Sequence, residues 1–156
     1  MGMTGIIVSI QIADNAESSL RNVEQVNAVA GMGLEGDRYY ARTGTYSRKH
    51  DESREATFIE AEALEALATD YYVELTGTDS RRNFTTRGVA LNHLVGREFR
   101  VGEAVFRGIR LCEPCTHLEK VSGKPARPGL VHRGGLRAQI IKSGQVCVGD
   151  ELNAEL

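Results

Sequence analysis

The sequence predicts a mainly β fold, either a barrel or a sandwich, with one or two short helices. Short segments rich in β-branched and aromatic residues recur along the 156-residue chain, and many of the 17 glycines separate them. A helical apolar period is clear at only one place, residues 60–68. Many short strands with frequent turn signals are typical of closed or layered β architectures.

Six segments are predicted as strands, in chain order residues 5–12, 57–59, 82–86, 97–101, 104–106 and 136–141, and residues 145–152 close the chain. Gly31, Gly33 and Gly36 indicate a loop, and the polar residues 41–55 predict a second, solvated loop. Residues 100–103 and 147–150 have similar sequences, and both are typical of tight turns between barrel strands.

Two helices are predicted. Residues 60–68 place Ala61, Leu64, Leu67 and Ala68 on one face at helical spacing, which indicates a packing element. Residues 114–121 predict a helix of about two turns, with Pro114 at its start and Gly123 as its stop signal. This places Cys115 in the first helical turn.

Length and composition restrict the class of protein. We expect a single domain over residues 1–156, and the net charge of −2 gives no support for nucleic-acid or membrane attraction. With nine aromatic residues and no Trp, a base-stacking platform is not expected. The N-terminal apolar run is too short for a signal peptide, so we expect a cytoplasmic protein. Three cysteines in that reducing compartment do not predict disulfides.

Cys112 and Cys115 are the best candidates for chemistry. Backbone N–H groups and the positive end of the predicted helix favour a thiolate at Cys115, although Glu113 would oppose it if it pointed at the sulfur. The alternative is that both cysteines are small buried apolar residues. A zinc site would need His117, His132 or Cys147 as further ligands, and no second ligand pair has the required spacing.

Residues 81–87 form a strongly basic polar segment in a slightly acidic chain. If the segment is extended, Arg82, Phe84 and Thr86 share one face, and the other face carries Arg81, Asn83, Thr85 and Arg87. Two guanidiniums with an amide and a hydroxyl suit a phosphate or a carboxylate. The alternative is an exposed edge strand whose charges serve solubility.

Two polar loops add candidates. One contains Asp37 and Arg38, and the other runs from His132 through Arg133, Gly134 and Gly135. His132 is a possible proton donor near neutral pH, and the two glycines allow close approach of a ligand to the backbone. His50 and His93 carry no signal beyond that of surface or packing histidines.

Together these segments resemble the MOSC domain family, named for the C-terminal domain of molybdenum cofactor sulfurase. The matching residues are 33–39, 81–89, 94–96, 112–115, 132–136 and 148–150, in the order expected. The resemblance is to the small stand-alone bacterial members. The desulfurase domain that carries pyridoxal phosphate in the sulfurase is not part of this resemblance. No lysine is a clear Schiff-base candidate, so we expect no pyridoxal phosphate here.

The resemblance implies a MOSC-type β-barrel with a few short helices and an essential cysteine, Cys115 by position, with Cys112 as second choice. That cysteine would either ligate molybdenum of a pterin cofactor or carry sulfur, because a soft thiolate suits both. The residues implied in binding the cofactor are Arg38, Arg81, Arg82, Asn83, Thr85, Arg87, His132, Arg133 and Gly134.

The function implied is the reduction of N-hydroxylated compounds or sulfur transfer. Since the chain is small, a partner that donates electrons, or a desulfurase that donates sulfur, would accompany the small-molecule substrate. The competing hypothesis is a non-catalytic module that binds an anionic metabolite or a partner protein on its basic segment.

Overall fold

The computed structural model describes residues 2–45, 47 and 49–155. Within these ranges the strands are β1 (Gly2–Ile12), β2 (Arg21–Val23), β3 (Gln25–Val29), β4 (Gly33–Leu34), β5 (Ala56–Glu60), β6 (Phe84–Arg87), β7 (Glu98–Val101), β8 (Ala104–Leu111), β9 (Leu136–Lys142), β10 (Gly144–Cys147) and β11 (Glu151–Glu155). The helices are α1 (Ala61–Tyr71), α2 (Thr116–Ser122) and α3 (Arg127–Leu130), with 3₁₀ turns at Glu52–Arg54 and Leu91–Leu94.

Seven of the described strands close into a barrel. Their order is β11, β7, β8, β9, β5, β6 and β1, and β1 pairs again with β11. Only β5 and β6 are parallel; the other barrel neighbours are antiparallel. The length of β1 lets its first half pair with β11 while its last residues pair with β2. The predicted mainly β barrel with short helices is confirmed.

Four buried phenylalanines fill the barrel: Phe58, Phe84, Phe99 and Phe106. Their ring centroids lie 4.8 to 6.0 Å apart, in stacked and edge-on pairs. Aromatic pairs at this spacing stabilise a core beyond the effect of buried area alone. These contacts join β5, β6, β7 and β8 inside the barrel.

The helices form a second, smaller apolar cluster outside the barrel. Leu67 from α1, Leu118 from α2 and Leu130 from α3 are buried together, and Cys115 packs against them. A separate three-stranded sheet has the order β10, β3, β4. The helical cluster matters for function because it fixes α2, whose first residue follows Cys115.

Several predicted boundaries differ from the structure. The basic strand begins at Phe84 instead of residue 82, because Arg81 has φ of +63° and belongs to a turn. The tight turn predicted at residues 147–150 is present between β10 and β11, but the prediction that it joins two barrel strands is wrong, because β10 lies in the small sheet and only β11 in the barrel. Helix α2 starts two residues later than predicted, but Gly123 does end it, with φ of +70°.

Gly135 is required by the local backbone. It has φ of +114°, and a Cβ atom there would overlap the carbonyl oxygen of Phe58. This close approach seats the loop before β9 directly against β5. No helix among the described residues combines the length and the apolar character needed to cross a membrane.

Candidate anion-binding cleft

A cleft opens where the loop after β4, the turn before β6, the β8–α2 connection and the start of β9 meet. Its free space is about 540 Å³, open solvent included. Five arginines border it: Arg38, Arg54, Arg81, Arg82 and Arg137. Both Cys112 and Cys115 border it as well. We call this space the arginine cleft.

The charge of the arginine cleft is only partly balanced by the protein. Arg38 lies 3.0 Å from Asp37, and Arg54 lies 3.5 Å from Asp51. Among the residues that the structure describes, no carboxylate lies within ion-pair distance of the other three arginines. A buried cation without an anionic partner is costly, and a bound anion would relieve that cost.

Arg82 is buried and held entirely by backbone carbonyl groups. Its Nε donates to Gly134 O at 2.7 Å, its Nη1 to Ser80 O at 3.2 Å and its Nη2 to Cys112 O at 3.1 Å. A guanidinium has five N–H donors, so two remain for a ligand. Arg82 therefore ties three loops together and still presents positive charge to the cleft.

Arg81 is also buried, and its donors are incompletely used. Its Nη1 donates to Ser18 O and its Nη2 to Ala16 O at 2.8 Å, whereas its buried Nε has no hydrogen-bond partner. Burial, followed by the neighbouring Arg38, lowers the pKa of Arg81 to about 10. Arg38 in turn donates through Nη2 to Arg81 O at 3.1 Å, which joins the two arginines in one rigid unit.

The two cysteines are free thiols in different settings. Cys112 is buried just after β8, and its N–H donates to Gly135 O at 2.7 Å. Cys115 is half-buried and is the N-cap of α2, with extended backbone at φ −135° and ψ 172°. The prediction that Cys115 lies in the first helical turn is therefore wrong by one residue, because the turn starts at Thr116.

Glu113 does not act on the cysteines as a free charge. Its Oε1 accepts the backbone N–H of His132 at 2.7 Å, and its Oε2 lies 2.9 Å from Nδ1 of His132. His132 has φ of +60°, an uncommon conformation for a residue other than glycine. The pair joins the cysteine loop to the loop that precedes β9.

His117, the second residue of α2, also borders the cleft. Its Nε2 lies 3.1 Å from Oγ1 of Thr45, across the space that separates α2 from the loop after β4. Burial is the largest cause that lowers the pKa of His117 below 6.5, and the positive charge of Arg81 is the next. The imidazole is therefore neutral at physiological pH and adds a polar group without adding charge.

The structure brings together five of the residues predicted from the sequence: Arg38, Arg81, Arg82, Cys112 and Cys115 all border the cleft. Gly134 lies just behind it, since its carbonyl oxygen holds Arg82. His132 and Arg133 are exposed on the adjoining turn and do not border the cleft.

Three predicted residues of the basic segment lie elsewhere. Asn83 accepts from Thr57 N and donates to Gln11 O, both at 3.1 Å, so its amide is used inside the barrel wall. Thr85 is buried and donates to Gln11, also within the wall. Arg87 is exposed and pairs with a glutamate of α1.

The predicted sharing of one face by these residues is wrong, because the chain is not extended before Phe84. The alternative of an exposed edge strand is also wrong, since residues 81–86 are buried and β6 has a neighbour on each side.

Sequence reasoning missed Arg54, Arg137 and Thr45, and it considered His117 only as a zinc ligand. Arg137 is the second residue of β9, a strand in which alternate residues are buried. A charged residue at the start of such a strand could have been recognised in the sequence as a candidate for the cleft. Arg54 lies in a loop of mixed charge and carried none. Among the described residues, no group of three or more His, Cys, Asp or Glu side chains is placed to hold a metal ion, so the zinc hypothesis receives no support.

Comparison with known proteins agrees with this architecture. The family model for the MOSC domain matches residues 45–153, most of the chain, and the chain therefore belongs to the MOSC domain family. No curated protein sequence matches it at a significant level.

Solved structures share the fold at low sequence identity. The YuaD protein from Bacillus subtilis superposes with a TM-score of 0.83 at 17% identity, over 99% of this chain and 97% of that one. YiiM from Geobacillus stearothermophilus superposes with a TM-score of 0.74 at 15% identity, over 97% of this chain and 75% of that one. YiiM from Escherichia coli superposes with a TM-score of 0.66 at 17% identity, over 100% of this chain and 70% of that one. These likenesses concern the fold alone.

Proposed function

We propose that this protein binds a molybdenum-pterin cofactor in the arginine cleft and uses Cys115 as its reactive sulfur. One observation carries the proposal: two buried arginines without carboxylate partners, Arg81 and Arg82, share a single cleft with two free thiols, inside a MOSC domain. In a cytoplasmic setting, which we also propose, reducing conditions would keep those thiols free.

The residues present fit such a cofactor. A phosphate group would find unused guanidinium N–H donors on Arg82 and the unpartnered Nε of Arg81. Gly134 lies behind the cleft and packs against Cys112 O and Pro114, where a Cβ atom would overlap that carbonyl oxygen.

When bound, the molybdenum group would supply two-electron oxygen-atom chemistry. The chain would hold its anionic part through Arg38, Arg81 and Arg82 and would present the Cys115 sulfur. Two activities follow from this arrangement: reduction of N-hydroxylated compounds, with Cys115 as metal ligand, and sulfur transfer, with Cys115 as a persulfide carrier. The first needs an electron-donating partner, and the second needs a desulfurase that supplies sulfur.

The decisive experiment measures the purified protein by elemental analysis for molybdenum and by mass spectrometry for sulfur added to Cys115. Both activities predict that Cys115→Ser abolishes reduction or sulfur transfer. Cys147→Ser is the matched control, because Cys147 is half-buried in β10 and does not border the cleft. Full activity of Cys115→Ser in both assays would show that neither version is correct.

The competing function, a non-catalytic anion-binding module, makes a different prediction. Its affinity for pyrophosphate, measured by calorimetry, would depend on the cleft arginines and would be unchanged after the thiols are alkylated. The cofactor proposal predicts that alkylation of Cys115 prevents molybdenum retention. Retention of molybdenum by the fully alkylated protein would favour the module.

A further inference from the structure

A second cavity lies beside the arginine cleft and has different walls. Its free space is about 1400 Å³ with the open solvent included, and it is bordered by Lys49, His50, Asp51, Glu52, Arg54 and Gln139. We call it the polar groove. Arg54 and Thr45 border both the groove and the arginine cleft, so the two spaces adjoin.

A buried carboxylate, that of Glu55, lies in the wall of the polar groove beside His50. The side chain of Glu55 is 1% exposed; its Oε2 lies 3.0 Å from Nε2 of His50, and its Oε1 accepts the backbone N–H of Ile140 at 2.9 Å. For a neutral imidazole this contact requires the proton on Nε2. Nδ1 of His50 then has no hydrogen-bond partner among the described residues, and the ring is 32% exposed.

This is the arrangement of a proton-transfer pair. A buried carboxylate that holds one imidazole nitrogen fixes the ring and balances the charge of its protonated form, while the other nitrogen serves a ligand. The hydrogen bond to Ile140 anchors Glu55 on β9, so the pair stands on the barrel wall instead of on a free loop.

We propose that the polar groove is the substrate subsite and that His50, held by Glu55, delivers a proton to the departing oxygen. This inference rests on the proposed reductase function. A cofactor in the arginine cleft would occupy the space beside Cys115, so a substrate must approach from adjoining space. The described residues that border the groove are charged or polar apart from one glycine. This polar lining favours a small, hydrophilic N-hydroxylated compound.

The step balances for an amidoxime, R–C(NH₂)=N–OH. The N–O bond breaks, two electrons come from the electron-donating redox partner protein or, in the assay, from two molecules of reduced methyl viologen, and two protons are taken up. His50 in its protonated form gives one proton to the oxygen, which leaves as water, and solvent supplies the other to nitrogen. The products are the amidine R–C(NH₂)=NH and water. His50 then regains its proton from solvent through its exposed edge.

The test compares His50→Gln with His93→Gln, an exposed histidine in the 3₁₀ turn at Leu91–Leu94 that borders neither cavity. Glutamine at position 50 keeps an N–H donor for Glu55, so the fold should be retained, and thermal melting checks this. Glu55→Gln is the second variant, and it weakens the pair while keeping the bond to Ile140.

The first readout needs no cofactor. NMR of the protein without bound cofactor should show acetamidoxime shifting resonances of the groove residues Lys49, Asp51 and Gln139, with hexanamidoxime binding at least several-fold more weakly. The second readout is reduction of acetamidoxime by the cofactor-loaded protein with reduced methyl viologen as electron donor. His50→Gln should lower kcat about 100-fold with little change in KM, and His93→Gln should match the wild type.

The pH profile separates proton delivery from a structural role. The wild-type rate should fall toward high pH, because the step consumes protons, and His50→Gln should lack this fall. The charged and titratable groups around the ring are unchanged in this variant: Lys49, Asp51, Glu52, Arg54 and Glu55, with Tyr39 and Arg42 on the adjoining pocket and Arg110 reaching Asp51.

Three results would overturn the inference. Unchanged kcat and pH profile in His50→Gln would remove the proton-delivery role while leaving the proposed reductase intact. Absence of acetamidoxime shifts in the groove would remove the subsite. Groove binding without any reduction by the loaded wild type would refute the reductase function, and with it the proton step, and would leave the groove as a ligand site.

Discussion

Replacing Arg82 with methionine should loosen the arginine cleft and destabilise the whole chain. The guanidinium of Arg82 joins three loops by donating to the carbonyl oxygens of Ser80, Cys112 and Gly134. Methionine fills a similar volume but has no donor, so all three buried or half-buried carbonyl groups lose their partner. The substitution therefore isolates the hydrogen bonds from the packing.

The expected loss follows from these three bonds. A hydrogen bond from a charged group contributes about 1.5 to 3 kcal/mol, but removing the guanidinium also removes the cost of burying a cation without a carboxylate partner. We therefore take about 1 kcal/mol for each bond, near the general mean for hydrogen bonds, and expect a loss of about 3 kcal/mol. For a chain of this size, that loss lowers Tm by roughly 6 to 12 °C.

Urea unfolding followed by circular dichroism measures this loss, and the rate of maleimide labelling at Cys112 measures loosening of the cysteine loop. Arg82→Lys is the control, since it keeps the charge but a single ammonium cannot span three separate carbonyl groups. We expect it to recover less than half of the lost stability. Wild-type stability and wild-type protection of Cys112 in Arg82→Met would refute the idea that Arg82 holds these loops.

Three further predictions follow from the structure. Burial, and then the charge of Arg81, lower the pKa of His117 below 6.5. The stability that the neutral imidazole contributes is therefore present above pH 6.5 and is lost as pH falls through the folded-state pKa. The urea midpoint of His117→Gln should then depend less on acidification than that of the wild type. Gly135→Ala should destabilise by about 3 kcal/mol or more, measured by the urea midpoint, since its Cβ would overlap Phe58 O at a positive φ. Arg87→Met should leave pyrophosphate affinity unchanged by calorimetry, because its side chain lies outside the cleft.

The mainly β architecture was predictable because the local pattern is strong. The alternating apolar residues on either side of Gly102 correctly predicted the two strands β7 and β8 and the turn between them. The helical spacing of Leu64 and Leu67 correctly predicted α1. Strand pairing was not predictable. Residues 147–150 indicated a tight turn between two barrel strands, yet the strand before this turn, β10, belongs to the separate three-stranded sheet.

The cleft was predictable in part. Arg38, Arg81 and Arg82 and both cysteines were identified by residue type and by family resemblance, and the structure places them around one space. Their roles as donors to carbonyl groups were not foreseeable, because those carbonyls lie up to 65 residues away in sequence.

The pairing of His50 with Glu55 needed the structure for a related reason. The two residues are only five apart in sequence, but nothing in the sequence shows that Glu55 is buried against Ile140, 85 residues away.

The amino-acid sequence by itself determined the family, the type of fold, the two candidate cysteines and most of the cations near them, because these depend on residue type and local spacing. Tertiary structure decided which cations lack a carboxylate, which carbonyl groups hold them and which histidine has a buried partner. Those properties depend on burial and on distances between loops that are remote in sequence, and no local pattern records them.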